Sequence, residues 1–238
     1  MKRLYSKEKY ATKLEWLKAR QFGGSSASAL FDTNPYMSKL DIYCSCVNPT
    51  ENQTDEDRNQ NELTIYGQEA EPIIRELVKV NFANTFKVQS PNGWTMYRRN
   101  DKSYMTATLD GLLINLQNKE KWILEIKTHE VRGAEDYVQW HNALPLNYAI
   151  QCLHYLAVLN DTQGCLLVAK LKFMNYELNQ VESEEIRYYW LPRKDYLEKI
   201  AEVERVETKF YEEHIAKQIP PNIKVGFMEK KQDELQVE

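Results

Sequence analysis

The chain has 238 residues, 42% of them hydrophobic and 28% charged, with a formal net charge of -4 at pH 7. That length buries a full core, as one large domain or two small ones, and the composition is that of an ordinary globular protein. The acidic balance excludes a globally basic, nucleic-acid-coating surface, although an acidic protein still accommodates a basic channel.

The first twenty residues are locally basic, with Lys2, Arg3, Lys7, Lys9, Lys13, Lys18 and Arg20 against Glu8 and Glu15. Ser6 reads as the cap of a helix running to about Arg20, with Tyr10, Leu14, Trp16 and Leu17 as its apolar stripe. "FGGSSASALF" reads as a glycine pair opening a short helix of small residues. "NPYMSKLDIYCSC" reads as a turn and a helix capped by Ser38. The polar stretch from Pro49 to Asn61 reads as an exposed loop. A helix is expected from about Glu62 to Phe82, with Ile73, Ile74, Leu77, Val78 and Phe82 inward. Glu69 and Glu71 are placed early in it, where the helix dipole favours acids.

From Thr85 to His129 the pattern changes to strands: "FKVQS", "WTMYRR", "YMTATLDGLLINL" and "KWILEIKTH", with a turn at Asn92-Gly93. "PLNYAIQCLHYLAVLN" reads as a helix with Pro145 in its first turn. "GCLLVAKLKF" and "EEIRYYWL" read as two more strands. A last helix begins near Arg193 and carries Leu197, Ile200, Val203, Val206, Phe210 and Tyr211. Helices, a strand block and helices again predict an α/β (α+β) chain, a single domain over 1–238 with its core at about 16–216 and a polar tail at 217–238.

Cys44, Cys46, Cys152 and Cys165 form no C-x-x-C pair, which argues against zinc or iron–sulfur ligation and for free thiols in a reducing cytoplasm. No signal peptide or long apolar span is read, so no membrane is expected. His129, His141, His154 and His214 share no ligand spacing and are read as structural or surface residues. Core packing is the default reading for Trp16, Tyr36 and Trp140, with base stacking the alternative. Lys170 and Lys172 alternate on a strand, as solvated edge lysines or phosphate contacts.

The chemistry concentrates in "LEIKT". Side chains at i and i+2 of a strand share a face, so Glu125 and Lys127 stand together while Trp122, Leu124 and Ile126 line the other. Burying two charges is costly unless they are paired or bind an ion. Taken alone the pair is a structural ion pair. Upstream, Asp110-Gly111 taken alone is a turn. The gap between them, however, fits two antiparallel strands joined by "LQNKEK", which puts Asp110 near Glu125 across the sheet. Two converging carboxylates repel unless a cation lies between them, and hard oxygen donors suit Mg²⁺ or Mn²⁺. Glu71, before Pro72, is the favoured third acid, as a metal or water ligand.

The order Asp110, then Glu125-Ile126-Lys127, resembles the PD-(D/E)XK nuclease signature. With "WLKARQFGGSSAS", "GQEAEP", "ATLDGLL", "LEIKTH" and "PLNYAIQCLHYLAVL" in that order, the chain resembles the YqaJ-type viral recombinase nucleases, the lambda exonuclease-like group. The resemblance implies a central mixed sheet flanked by helices. It implies that Asp110, Glu125 and the Ile126 carbonyl hold Mg²⁺ (or Mn²⁺), as two ions, that Glu71 assists, and that Lys127 orients the attacking water. Gln151 completes the water and phosphate network with Tyr148, which shares its helix face. By the same resemblance, Arg20 and Ser25 are expected to bind a phosphate of the DNA end. The loop between them is shorter than in the family, which leaves Ser26 or Ser28 as alternatives to Ser25. The implied activity is a DNA exonuclease that digests linear duplex from the 5′ end, as a homo-trimeric ring, and passes 3′ single strands to an annealing recombinase. An endonuclease of the same fold and a non-catalytic DNA-binding module are the rivals.

Overall fold

The computed structural model describes residues 3–48, 62–175, 177 and 180–222, without the side chain of Asn142. The stretch from 49 to 61 and most of the polar tail, both read above, lie outside the described residues.

Tyr5–Tyr10 form a strand, β1, not the start of a helix. β1 pairs antiparallel with β3 (Trp94–Arg99), which pairs in turn with the short β4 (Thr106–Ala107). What holds β1 extended is remote in sequence. Tyr5 is buried edge-on against Tyr97, at 5.7 Å between ring centres, and Arg98 binds Glu8 at 2.9 Å. The helix that follows, α1 (Lys13–Ala19), is capped by Thr12, not Ser6. The Glu15 N–H donates to Thr12 Oγ1, and the Glu15 carboxylate accepts from the Thr12 N–H.

α2 (Gly24–Leu30) and α3 (Lys39–Val47, capped by Ser38) lie where the sequence places them. So does α4 (Glu62–Asn81), yet its inward stripe is Ala70, Ile74 and Val78; Ile73 is 70% exposed and Leu77 is also exposed. The burial stripe is narrower than the apolar residues of the helix. Glu69 and Glu71 lie mid-helix next to Pro72, so the dipole of a first turn does not act on them.

The main sheet has five strands in the order β2 (Phe86–Gln89), β5 (Gly111–Asn115), β6 (Lys121–Val131), β7 (Gly164–Asn175), β8 (Gln180–Pro192). β6 and β7 are parallel and the other pairs antiparallel. A parallel pair needs a long crossover, supplied by α5 (Ala134–Asn142), for which the sequence reading has no counterpart, and α6 (Leu146–Val158). The stretch "YMTATLDGLLINL" is divided between β4 and β5, with Asp110 at the junction. β7 is interior, so Lys170 and Lys172 are not edge lysines: Lys170 binds Glu184 at 3.0 Å and Lys172 sits 3.3 Å over the Tyr66 ring. After β8 a short 3₁₀ turn, Arg193–Asp195, precedes α7 (Leu197–Phe210), whose Leu197 is exposed while Ile200, Val203 and Phe210 are buried.

The period-two pattern of β6 sorts its residues between two cores. Leu124 and Ile126 join Leu113, Leu166 and Val168 beneath α4. Ile123 joins Cys165, Leu167 and Ala169 on the opposite face, beneath α6 and α7. Glu125 and Lys127 therefore point toward the α6 side. Cys44 and Cys46 are half-buried and Cys152 and Cys165 buried, all as free thiols.

Candidate active site

Asp110 and Glu125 meet because β5 and β6 are antiparallel with Gly111 opposite Leu124. The Ile126 N–H donates to Asp110 Oδ2 at 2.7 Å, which ties the loop before β5 to the Glu-x-Lys strand. Glu125 is 1% exposed. Its Oε1 lies 2.7 Å from Lys127 Nζ and accepts from Gln151 Nε2 at 2.6 Å. Lys127 reaches outward from this pair and stands 5.8 Å from the centre of the Tyr148 ring. Glu71 approaches from α4 and is paired with Arg75.

Burial, and then the neighbouring Asp110 carboxylate, push the Glu125 carboxyl up to about 8. Burial also raises Asp110, against the pull of Lys127. Burial and Asp110 raise Glu71, against Arg75 and Lys127. Burial works against the charge on Lys127, but Glu125 and Asp110 outweigh it, so the lysine is held protonated. Three acids and one firmly cationic lysine thus share one low-dielectric corner.

Among the described residues, no three His, Cys, Asp or Glu side chains form a ready-made metal cage, and Glu71 is turned to Arg75. The donor chemistry nonetheless fits a hard cation. Glu125 Oε2 is buried and receives no N–H or hydroxyl; its polar neighbour is the Asp110 carboxyl, with which it can pair only by sharing a proton. A buried carboxylate oxygen left unpaired is costly, and a divalent ion beside it removes that cost. Mg²⁺ is commonly held by one or two carboxylates plus water and substrate phosphate, and Asp110, Glu125 and the Ile126 carbonyl supply that kind of set.

At the other side of the site, an Arg20 guanidinium N–H donates to Ser25 Oγ at 3.0 Å. Ser28 is buried, donates to the Ser25 carbonyl and accepts from Asn34 Nδ2 at 3.0 Å, and Ser26 is buried too, so Ser25 is the exposed hydroxyl beside Arg20. Trp16 and Trp140 pack in the core, whereas Tyr36 stands 86% exposed, contrary to its default reading.

Three residues of this region escape a reading of motifs. Tyr155 accepts from Gln151 Nε2 at 2.8 Å; it lies one helical turn beyond Gln151, and that spacing was the available signal. Arg75 bears the same relation to Glu71. Gly24 belongs to the glycine pair that opens α2, but nothing in the sequence announces what packs on it. A Cβ there would lie 2.5 Å from the Tyr155 ring and 2.8 Å from Gln151 Cγ, so α2 packs on α6 only because the residue lacks a side chain. Gly24→Ala is expected to cost about 1–3 kcal/mol by overpacking. Because the displaced groups are Gln151 and Tyr155, it should also weaken the support of Glu125. Thermal melts with a crystal structure of the variant check this; an unchanged Tm and an unmoved Gln151 would refute it.

A mixed sheet with Asp at the entrance to one strand and Glu-x-Lys on its antiparallel neighbour, with helices on both faces, defines the PD-(D/E)XK nuclease-type fold class. Within it the chain belongs to the YqaJ-like viral recombinase domain family, whose pattern matches residues 15–163. The structure is similar to an alkaline exonuclease, LHK-Exo, from Laribacter hongkongensis, at 17% identity and a TM-score of 0.59, over 93% of this chain and 98% of that one. It is similar to LHK-Exo in complex with dAMP at 16% identity and a TM-score of 0.57, again over 93% and 98%. At such identity the likeness is one of fold. No curated protein matches the sequence.

Proposed function

We propose that this protein is a divalent-cation-dependent DNA exonuclease that removes nucleotides from the 5′ end of linear duplex DNA. The observation that carries the reading is the joint held together by the Ile126 N–H and Asp110 Oδ2, with buried Glu125 and cationic Lys127 on the adjoining strand. The family and the named activity of LHK-Exo support it.

Asp110, Glu125 and the Ile126 carbonyl would hold Mg²⁺ or Mn²⁺, as one or two ions, with Glu71 acting directly or through water. Bound there, the metal supplies charge neutralisation of the phosphate and a lowered pKa for its water. Lys127 orients the attacking water and places positive charge where the transition state gathers negative charge. Gln151 keeps Glu125 aimed, and Tyr148 borders the lysine. Arg20 and Ser25 take a phosphate of the DNA end. The product is a 3′ single strand for an annealing recombinase, and the assembly is a trimer around the duplex in the cytoplasm. Among the described residues no helix is long and apolar enough to cross a membrane.

Linear duplex labelled at one 5′ or one 3′ end, assayed with Mg²⁺ beside a covalently closed circle, tests the reading. Early release of the 5′ label with the circle intact is expected. Cleavage of the circle would turn the assignment to an endonuclease of the same fold.

A pH dependence follows from Glu125. Its folded-state pKa lies above the ordinary carboxylate value, so the metal-free protein keeps this group's contribution in acid and loses stability as pH rises from the usual carboxylate range to about 8. A cation favours the ionised carboxylate, so the rise in Tm on adding Mg²⁺ should grow across that window. Glu125→Gln should flatten the growth. A Mg²⁺ increment independent of pH in the parent would contradict the assignment.

A further inference from the structure

Arg75 is a charged residue that the functional reading does not use. It is buried on α4, on the side of the sheet opposite α6. Its Nε–H donates to the main-chain carbonyl of Asp110 at 2.7 Å, and its Nη2 pairs with Glu71, one helical turn earlier. The first contact grips the backbone of Asp110 and leaves the carboxylate free to accept from the Ile126 N–H. The second grips the carboxylate of Glu71. A guanidinium is planar and rigid, so the two contacts fix the two acidic segments in one geometry, whereas an ammonium on a flexible stem satisfies only one of them.

α4 also meets the sheet through Ala70, Ile74 and Val78. A Cβ on Gly67 would lie 3.2 Å from Thr128 Oγ1, so the helix runs tightly against β6 next to Lys127. The sequence therefore delivers α4 to the sheet by packing and then spends a buried cation on two acids that belong to different elements.

We propose that Arg75 is a positioning residue for the cation site: it holds the Asp110 main chain and the Glu71 carboxylate in register, so that ligands from both faces of the sheet converge. This rests on the reading of Asp110 and Glu125 as cation ligands. The partners that orient metal ligands are typically worth about 10–100-fold in metal affinity.

The test is isothermal titration of the full chain with Mn²⁺ alone, using the parent, Arg75→Lys, Arg75→Gln, Glu71→Gln, the double variant Arg75→Lys/Glu71→Gln, and Glu125→Gln. Arg75→Lys keeps the charge and the stem and is expected to remain folded by circular dichroism and melting. It should bind Mn²⁺ about tenfold or more weakly. In DNA hydrolysis the Mn²⁺ concentration for half-maximal rate should rise by a like factor, with KM for DNA unchanged. The losses in the double variant should be less than additive, because both single changes remove the Arg75–Glu71 contact while only Arg75→Lys also disturbs the grip on the Asp110 main chain. Parental Mn²⁺ affinity in both Arg75 variants, with affinity lost in Glu125→Gln, would overturn the role of Arg75 and leave the cation site standing. Additive losses in the double variant would overturn it as well. No Mn²⁺ uptake by the parent would remove the cation reading itself, and this inference with it.

Discussion

Lys127→Ala is expected to lower Mg²⁺-dependent nucleotide release from linear duplex DNA by about 10²–10³-fold or more, the scale on which losing one preorganised electrostatic group acts. The lysine is placed for this by strand geometry. It shares a face with Glu125 and binds it at 2.7 Å, yet its head is partly open toward Tyr148. The same variant should be less stable. Glu125 keeps its bond from Gln151 but loses its counter-charge, so it takes up a proton more readily and its pKa, already about 8, climbs further. A buried pair that loses one partner costs about 3–5 kcal/mol; partial exposure of the lysine and protonation of Glu125 reduce this to about 1–3 kcal/mol. The measurement is a single-turnover assay on protein shown to be folded at the assay temperature. A folded Lys127→Ala enzyme running at the parental rate would remove lysine from the chemistry.

A second large effect, on stability, is expected at His154 and Glu207, which take no part in the proposed chemistry. Both side chains are wholly buried. His154 Nε2 lies 2.8 Å from the Thr106 carbonyl, and Nδ1 lies 2.6 Å from Glu207 Oε1. A carbonyl oxygen only accepts, so Nε2 carries a proton. With Glu207 ionised, Nδ1 donates to it as well, and the ring is then an imidazolium. Burial opposes this charge and Arg20 adds a smaller opposition. Glu207 and the Thr106 carbonyl overcome both and raise the pKa above its ordinary value of 6.5. The pair joins α6 to α7 and to β4, and it lies one turn from Gln151 on α6.

The folded-state pKa is raised, so the contribution is fully present below about 6.5 and is lost as pH rises through the folded value. Glu207→Leu removes the partner at Nδ1, so the buried ring sheds its charge and keeps one unsatisfied nitrogen; the cost at pH 6 should be about 1–3 kcal/mol. Glu207→Gln can donate to an unprotonated Nδ1, so it should cost about 1 kcal/mol and abolish the alkaline loss. Denaturant unfolding at several pH values separates the two. Equal pH dependence in Glu207→Gln and parent would show that the pair is not ionic.

Much of this architecture is legible along the chain. The alternation in "KWILEIKTH" assigns Glu125 and Lys127 to one face, and the short polar link "LQNKEK" predicts the antiparallel partner that brings Asp110 across. Ser38 announces its helix through a local capping box. Each of these rests on residues within one element or two adjacent ones. The misreadings have the opposite character. Residues 5–10 form a strand because β3, far along the chain, offers Tyr97 and Arg98 to Tyr5 and Glu8. Ile73 and Leu77 are apolar but exposed, because only one narrow stripe of α4 meets the sheet.

The candidate site divides along the same line. Sequence by itself determined the chemical identities, their order and the strand face they occupy, since side-chain alternation and turn length are local consequences of backbone geometry. Tertiary structure alone decided that Glu71 faces Arg75, that Arg75 grips Asp110 by its main chain, that Gly24 admits Tyr155 and Gln151, and that His154 meets Glu207. These contacts depend on the separation and rotation of packed elements, which are set by close packing of the whole core and leave no periodic trace in any one segment.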